Sequence, residues 1–61
     1  MYKLKIDTTE KSGLTKTEYG KNQWNDIEEA RRAATRKRKE LFEEYASGTI
    51  QDYRVDVIPC N

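Results

Sequence analysis

From Ile27 to Ala46 the chain runs through 20 residues without a glycine or a proline, in a protein of only 61 residues. An uninterrupted segment of that length is what an α-helix needs and what a strand does not use. The signals at its ends agree. Asn25 is a good N-cap, and Glu28 stands three residues later, where the acid of a capping box belongs. Asp26, Glu28 and Glu29 crowd the first turn, where carboxylates meet the positive end of the helix dipole. Gly48 is placed to take the left-handed C′ conformation. The spacing predicts a helix over about 26–47. At about 100° per residue, Ile27, Ala30, Ala34, Leu41 and Tyr45 fall in an apolar stripe about 60° wide, with Phe42 on its flank. Lys37 and Arg38 interrupt that stripe, and their long stems can lie along the edge of a sheet while the charges reach water.

One helix this long leaves short flanks, and both read as strands. Tyr2, Leu4 and Ile6 alternate with Lys3, Lys5 and Asp7, the period of a half-buried strand over about 2–9. Glu10-Lys11-Ser12-Gly13 reads as a turn, in which Gly13 supplies a positive φ and Ser12 bonds to local backbone. Residues 14–20 form a threonine-rich second strand whose register stays open. Either Thr15, Thr17 and Tyr19 or Leu14, Lys16 and Glu18 face inward. After the helix, Tyr53, Val55 and Val57 share one face of a strand over about 51–58, which Pro59 ends. The order β-β-α-β with a right-handed crossover predicts an α+β fold. Its sheet has three antiparallel strands in spatial order 2-1-3, covered on one face by the helix. The other face carries Lys3, Lys5, Asp7, Arg54, Asp56 and Ile58. No internal repeat or low-complexity tract divides the chain, so residues 1–61 read as one small domain.

Composition excludes several kinds of chemistry. There is no histidine, which removes the commonest general base and metal ligand. Cys60 is the one cysteine, so an intrachain disulfide and a zinc site built from Cys and His are both ruled out. Two residues past the last strand and with no histidine to activate it, its thiol reads as idle. The three glycines are isolated and form no phosphate-cradling loop. A fold of this size has little room for a closed, water-excluding pocket. The expectation is a protein that is not an enzyme and holds no cofactor or metal. No signal peptide, transmembrane span, lipidation motif or N-glycosylation sequon is present. A lone thiol in so small a protein fits a reducing compartment, and the expected location is the cytoplasm, with no membrane partner. Starting at Met1 with no tag or linker, the chain reads as a complete small gene product.

What remains are surfaces. Arg31, Arg32, Arg36, Lys37, Arg38 and Lys39 place six cations in nine residues. On a helix, Arg31, Arg32, Arg36, Arg38 and Lys39 share an arc of about 160°, which a phosphate backbone could use. Against that stand Glu28, Glu29, Glu40 and Glu43 around the same surface, and a net charge of only +1. The pairs Glu28–Arg32, Arg36–Glu40 and Lys39–Glu43 have i,i+4 spacing and would neutralise the face. The open sheet face offers no aromatic platform for bases unless the second strand turns Tyr19 outward. Trp24, in a polar stretch before the helix, reads either as an interface hot spot or as a lid on the end of the core. In a chain with so few large apolar groups the second carries more weight. The two sheet edges are open to another chain, the last strand being poorly blocked.

These features lead first to a small protein-interaction module, encoded by a microbe or its phage, that acts as a regulator or inhibitor of a larger host protein. Trp24, Arg32, Arg36 and Tyr53 are its candidate contacts with an unidentified protein partner. The first alternative is a nucleic-acid-binding protein using Arg31, Arg32, Arg36, Arg38 and Lys39. The second is a subunit that forms a homodimer through its strand edges.

Overall fold

The computed structural model describes residues 1–60. Its elements follow in the order β1 (Tyr2–Glu10), β2 (Thr15–Tyr19), α1 (Ile27–Ala46) and β3 (Ile50–Pro59). The sheet order is β2-β1-β3 and both pairings are antiparallel, the α+β arrangement expected from the periodicity. Leu4 stands opposite Val57 and Ile6 opposite Val55, so the alternating apolar residues of the two strands meet on one face. A bulge at Thr9/Glu10 ends this regular pairing, and Glu10 meets Ile50.

The turn between β1 and β2 uses the residues predicted for it. Gly13 has φ +90°, its N–H donates to the Glu10 carbonyl at 2.9 Å, and the Leu14 N–H reaches Ser12 Oγ at 3.4 Å. In β2 the open register is resolved. Glu18 pairs with Ile6 and Lys16 with Thr8, so these two charged residues share the apolar face of β1, while Tyr19, Thr17 and Thr15 lie on the other face with Lys5, Asp7 and Thr9. Charged residues are tolerated there because α1 rests on β1 and β3 and does not reach β2. All five residues of β2 are exposed.

The helix begins one residue later than Asn25 would allow. Asp26 is the N-cap, with Oδ1 accepting the Glu28 N–H at 2.9 Å. The reason lies outside the helix. The Tyr2 N–H donates to the Trp24 carbonyl at 2.8 Å and the Trp24 N–H to the Tyr2 carbonyl at 2.9 Å, an isolated bridge that ties Trp24 to the sheet. Asn25 follows this bridge as a bend, and the cap falls to Asp26. The far end is a Schellman motif. With Ser47 as C-cap, the Gly48 N–H donates to Tyr45 and the Thr49 N–H to Glu44, at 3.1 and 2.9 Å, with Gly48 at φ +82°. A Cβ at Gly48 would meet only the flexible end of Lys11 at 3.6 Å. Gly48→Ala is therefore expected to cost about 1 kcal/mol through backbone strain alone. Urea unfolding checks this, and an unchanged midpoint would contradict it.

The core is small. Its buried residues are Leu4, Ile6, Ala33, Ala34, Leu41 and Val55, with Trp24, Ile50, Tyr53 and Val57 packed around them, and Ala30 is fully buried as well. Three alanines on the helix face let its backbone lie close to the sheet, which leaves Leu41 as the one large side chain that α1 buries. Ile27 is half-buried, and Tyr45, predicted for the buried stripe, is 48% exposed. Tyr45 lies about 40° from the centre of the face that Ala30, Ala34 and Leu41 define. At that angle it passes the outer edge of β3 instead of reaching over it.

Candidate functional site

The backbone hydrogen bonds identify which groups each edge of the sheet leaves free. In β1 the even-numbered residues turn their N–H and C=O toward β2, as the bonds Gly20 N–H to Leu4 O and Glu10 N–H to Leu14 O show. The odd-numbered residues therefore bond to β3. By the same alternation, Tyr53, Val55 and Val57 direct their backbone groups to the outer edge of β3.

That edge is partly closed by the protein's own side chains. Arg38 reaches down from α1 and Nη2 donates to the Val55 carbonyl at 2.7 Å. The Tyr53 N–H is taken by Asp52 Oδ1 at 2.8 Å, and Pro59 has no N–H to offer. The last strand, predicted to be poorly blocked, is thus blocked at its middle. Arg38 is one of the two residues expected to extend along the sheet edge, and it does so through a charge-assisted bond.

Beside this closed edge lies a cluster of aromatic side chains. Phe42 is 56% exposed, Tyr45 48%, and Tyr53 is half-buried next to them. The Phe42 and Tyr45 rings are 6.4 Å apart, and Tyr45 meets Tyr53 edge-on at 6.0 Å. A shallow cleft of about 430 Å³ opens against them, lined by Thr35, Arg38, Lys39, Phe42, Glu43 and Tyr53. Of the residues singled out from sequence, Tyr53, Arg38 and Lys39 are brought together here. The helical spacing places Tyr45 in the apolar stripe and Phe42 on its flank, and their exposure depends on where the helix lies across the sheet.

The other sequence candidates lie elsewhere. Trp24 is half-buried and packs against the core, at the opposite end of the sheet from Glu10 and Ile50. Arg31 is held by Glu28 at 3.0 Å. Lys37 pairs with Glu40 at 3.4 Å. Both ion pairs have i,i+3 spacing, and none of the three i,i+4 pairs predicted from sequence forms among the described residues. Arg32, Arg36 and Lys39 consequently carry no ion pair among the described residues and sit on the solvent side of α1. On the far side of the sheet, Lys3 places Nζ 4.7 Å above the Tyr19 ring, and Arg54 pairs with Asp56 at 2.9 Å. The cations of the helix and those of the open sheet face are separated by the core, so they do not converge on one surface.

A second groove, of about 570 Å³, runs between α1 and β2 where the helix leaves the sheet uncovered. Its apolar floor is Ile6, Leu41 and Ile50, and lysines 11, 16 and 37 and glutamates 10, 18 and 44 stand around it. Among the described residues no three His, Cys, Asp or Glu side chains cluster as a metal site requires. Among the described residues no helix is long and apolar enough to cross a membrane. Comparison of the chain with protein families, with characterised proteins and with solved structures finds no match in any of the three.

Proposed function

We propose that the protein is a non-enzymatic protein-interaction module. Its docking surface is the aromatic cluster Phe42, Tyr45 and Tyr53 with Arg38 and Lys39 at its border. The observation that carries this reading is the exposure of Phe42 and Tyr45 where only four large aliphatic side chains are buried among the described residues, Leu4, Ile6, Leu41 and Val55. Aromatic side chains held against one another lose little entropy on binding, and with arginine they dominate interface energetics. The partner that fits presents an apolar side chain to the cleft, with acidic groups toward Arg38 and Lys39. Strand addition at this edge is disfavoured, because Arg38 occupies the Val55 carbonyl.

The nucleic-acid reading has less support. Among the described residues only Arg32, Arg36 and Lys39 of the helix cations have neither an ion pair nor a backbone partner, and Glu28, Glu29 and Glu43 stand among them.

Affinity capture with the wild-type chain and two variants as bait tests the proposal. Phe42→Ala/Tyr45→Ala is expected to keep the fold, because both residues are largely exposed, and to weaken binding at least a hundredfold. Arg32→Ala/Arg36→Ala is expected to retain the same partner within a few-fold. A partner kept by the first variant and lost by the second would overturn the assignment.

A further inference from the structure

We propose that the free edge of β2 is the docking surface for a second copy of this chain, giving a two-fold dimer with one continuous sheet. The inference is independent of the partner site on the opposite edge. Because the even-numbered residues of β2 bond to β1, the N–H and C=O groups of Thr15, Thr17 and Tyr19 all point outward. No side chain of the described residues hydrogen-bonds to any of these outward backbone groups, in contrast to the β3 edge, where Arg38 and Asp52 intervene. An exposed strand with a bare edge is a template for another strand.

The sequence of β2 is complementary to itself in the register that pairs the whole of this edge. A two-fold axis through the centre of this edge pairs all three residues whose groups face outward, and Thr17 is the middle one. With Thr17 opposite Thr17, Thr15 faces Tyr19 of the second copy, and about six backbone hydrogen bonds form. Lys16 then stands directly opposite Glu18 of the second copy, and Glu18 opposite its Lys16, in the closer non-hydrogen-bonded positions where opposite charges attract most. Within one chain these two residues make only a loose contact of 3.8 Å, and both side chains are more than half exposed, so they are available to re-pair.

One more residue falls into place. Leu14 is the most exposed large hydrophobic of the protein, at 63%. The same register sets it opposite Gly20 of the second copy. Gly20 carries no side chain to obstruct that leucine, and a Cβ there would stand in ordinary contact with the Leu4 Cβ at 3.6 Å, so the leucine would approach the end of β1 where Leu4 lies. The resulting sheet runs β3-β1-β2-β2-β1-β3 with both helices on one face. The two grooves beside β2 then adjoin across the axis. A short strand pair buries little area, so association is expected to be reversible and in the micromolar range.

Sedimentation equilibrium of the full chain from about 1 μM to 1 mM tests the proposal. The mass is expected to rise toward twice that of the monomer, and a monomer throughout the range would overturn it. Lys16→Glu and Glu18→Lys are each expected to weaken self-association about tenfold or more by setting like charges opposite one another. Mixing these two variants is expected to restore it, since each supplies the charge the other lacks, and the double exchange Lys16→Glu/Glu18→Lys should associate by itself. Thr17→Pro removes an N–H that β1 does not use, so it should abolish the dimer and leave the far-ultraviolet circular dichroism unchanged. A dimer insensitive to the charge variants would overturn the proposal even if the proline variant failed to fold.

Discussion

Leu41→Ala is expected to leave the chain largely unfolded at physiological temperature. Leu41 is the one large side chain that the helix buries, and it closes the core over Ile6 and Val55. Truncating a buried leucine costs about 2–5 kcal/mol, with the higher values where neighbours cannot collapse into the space. The neighbours here are strand residues held in a hydrogen-bonded ladder and alanines with nothing to extend. A core of this size supplies only about 3–5 kcal/mol in total. Thermal unfolding followed at 222 nm should show a folded baseline for the wild type and no cooperative transition for the variant. A cooperative transition within a few degrees of wild type would contradict this account of the core.

Trp24→Ala is expected to act on folding before it acts on recognition. The backbone of Trp24 is bonded in both directions to Tyr2, and its ring is packed on the core cluster. The side chain is half-buried, so its loss should cost about 2 kcal/mol, less than the 3–5 of a fully buried tryptophan. Trp24→Phe should recover most of the stability by restoring the apolar area. Urea unfolding of the three proteins decides the matter. If Trp24→Ala unfolds at the wild-type midpoint yet loses a partner, Trp24 belongs to the interface and not to the core.

The strands, their order and the helix were all legible in the chain, because Tyr2-Leu4-Ile6 and Tyr53-Val55-Val57 repeat with period two and the segment between Ile27 and Ala46 has no breaker. The register of β2 was not, because it depends on how far the helix reaches across the sheet. Lys16 and Glu18 would be unacceptable on the apolar face beneath a helix, and they are harmless on a strand it does not cover. The same geometry hid the aromatic site. A helical projection ranks Tyr45 with the buried stripe, and only the position of α1 over β3 and β1 shows that Tyr45 and Phe42 overhang the edge. The helix start moved from Asn25 to Asp26 through a bridge to Tyr2, more than twenty residues away, which no local capping rule contains. The i,i+4 pattern overstated the ion pairing of the helix. Arg31 and Lys37 take the carboxylates of Glu28 and Glu40, and Arg38 is drawn to the backbone of β3.

We propose that this chain recognises protein and not nucleic acid, its basic helix segment being solvated surface. A fluorescence-anisotropy titration against duplex and single-stranded DNA and RNA, at about 50 and 200 mM salt, tests it most directly. The account predicts no saturable binding at the lower salt. Micromolar binding that weakens tenfold or more at the higher salt, and that disappears in Arg32→Ala/Arg36→Ala, would contradict it.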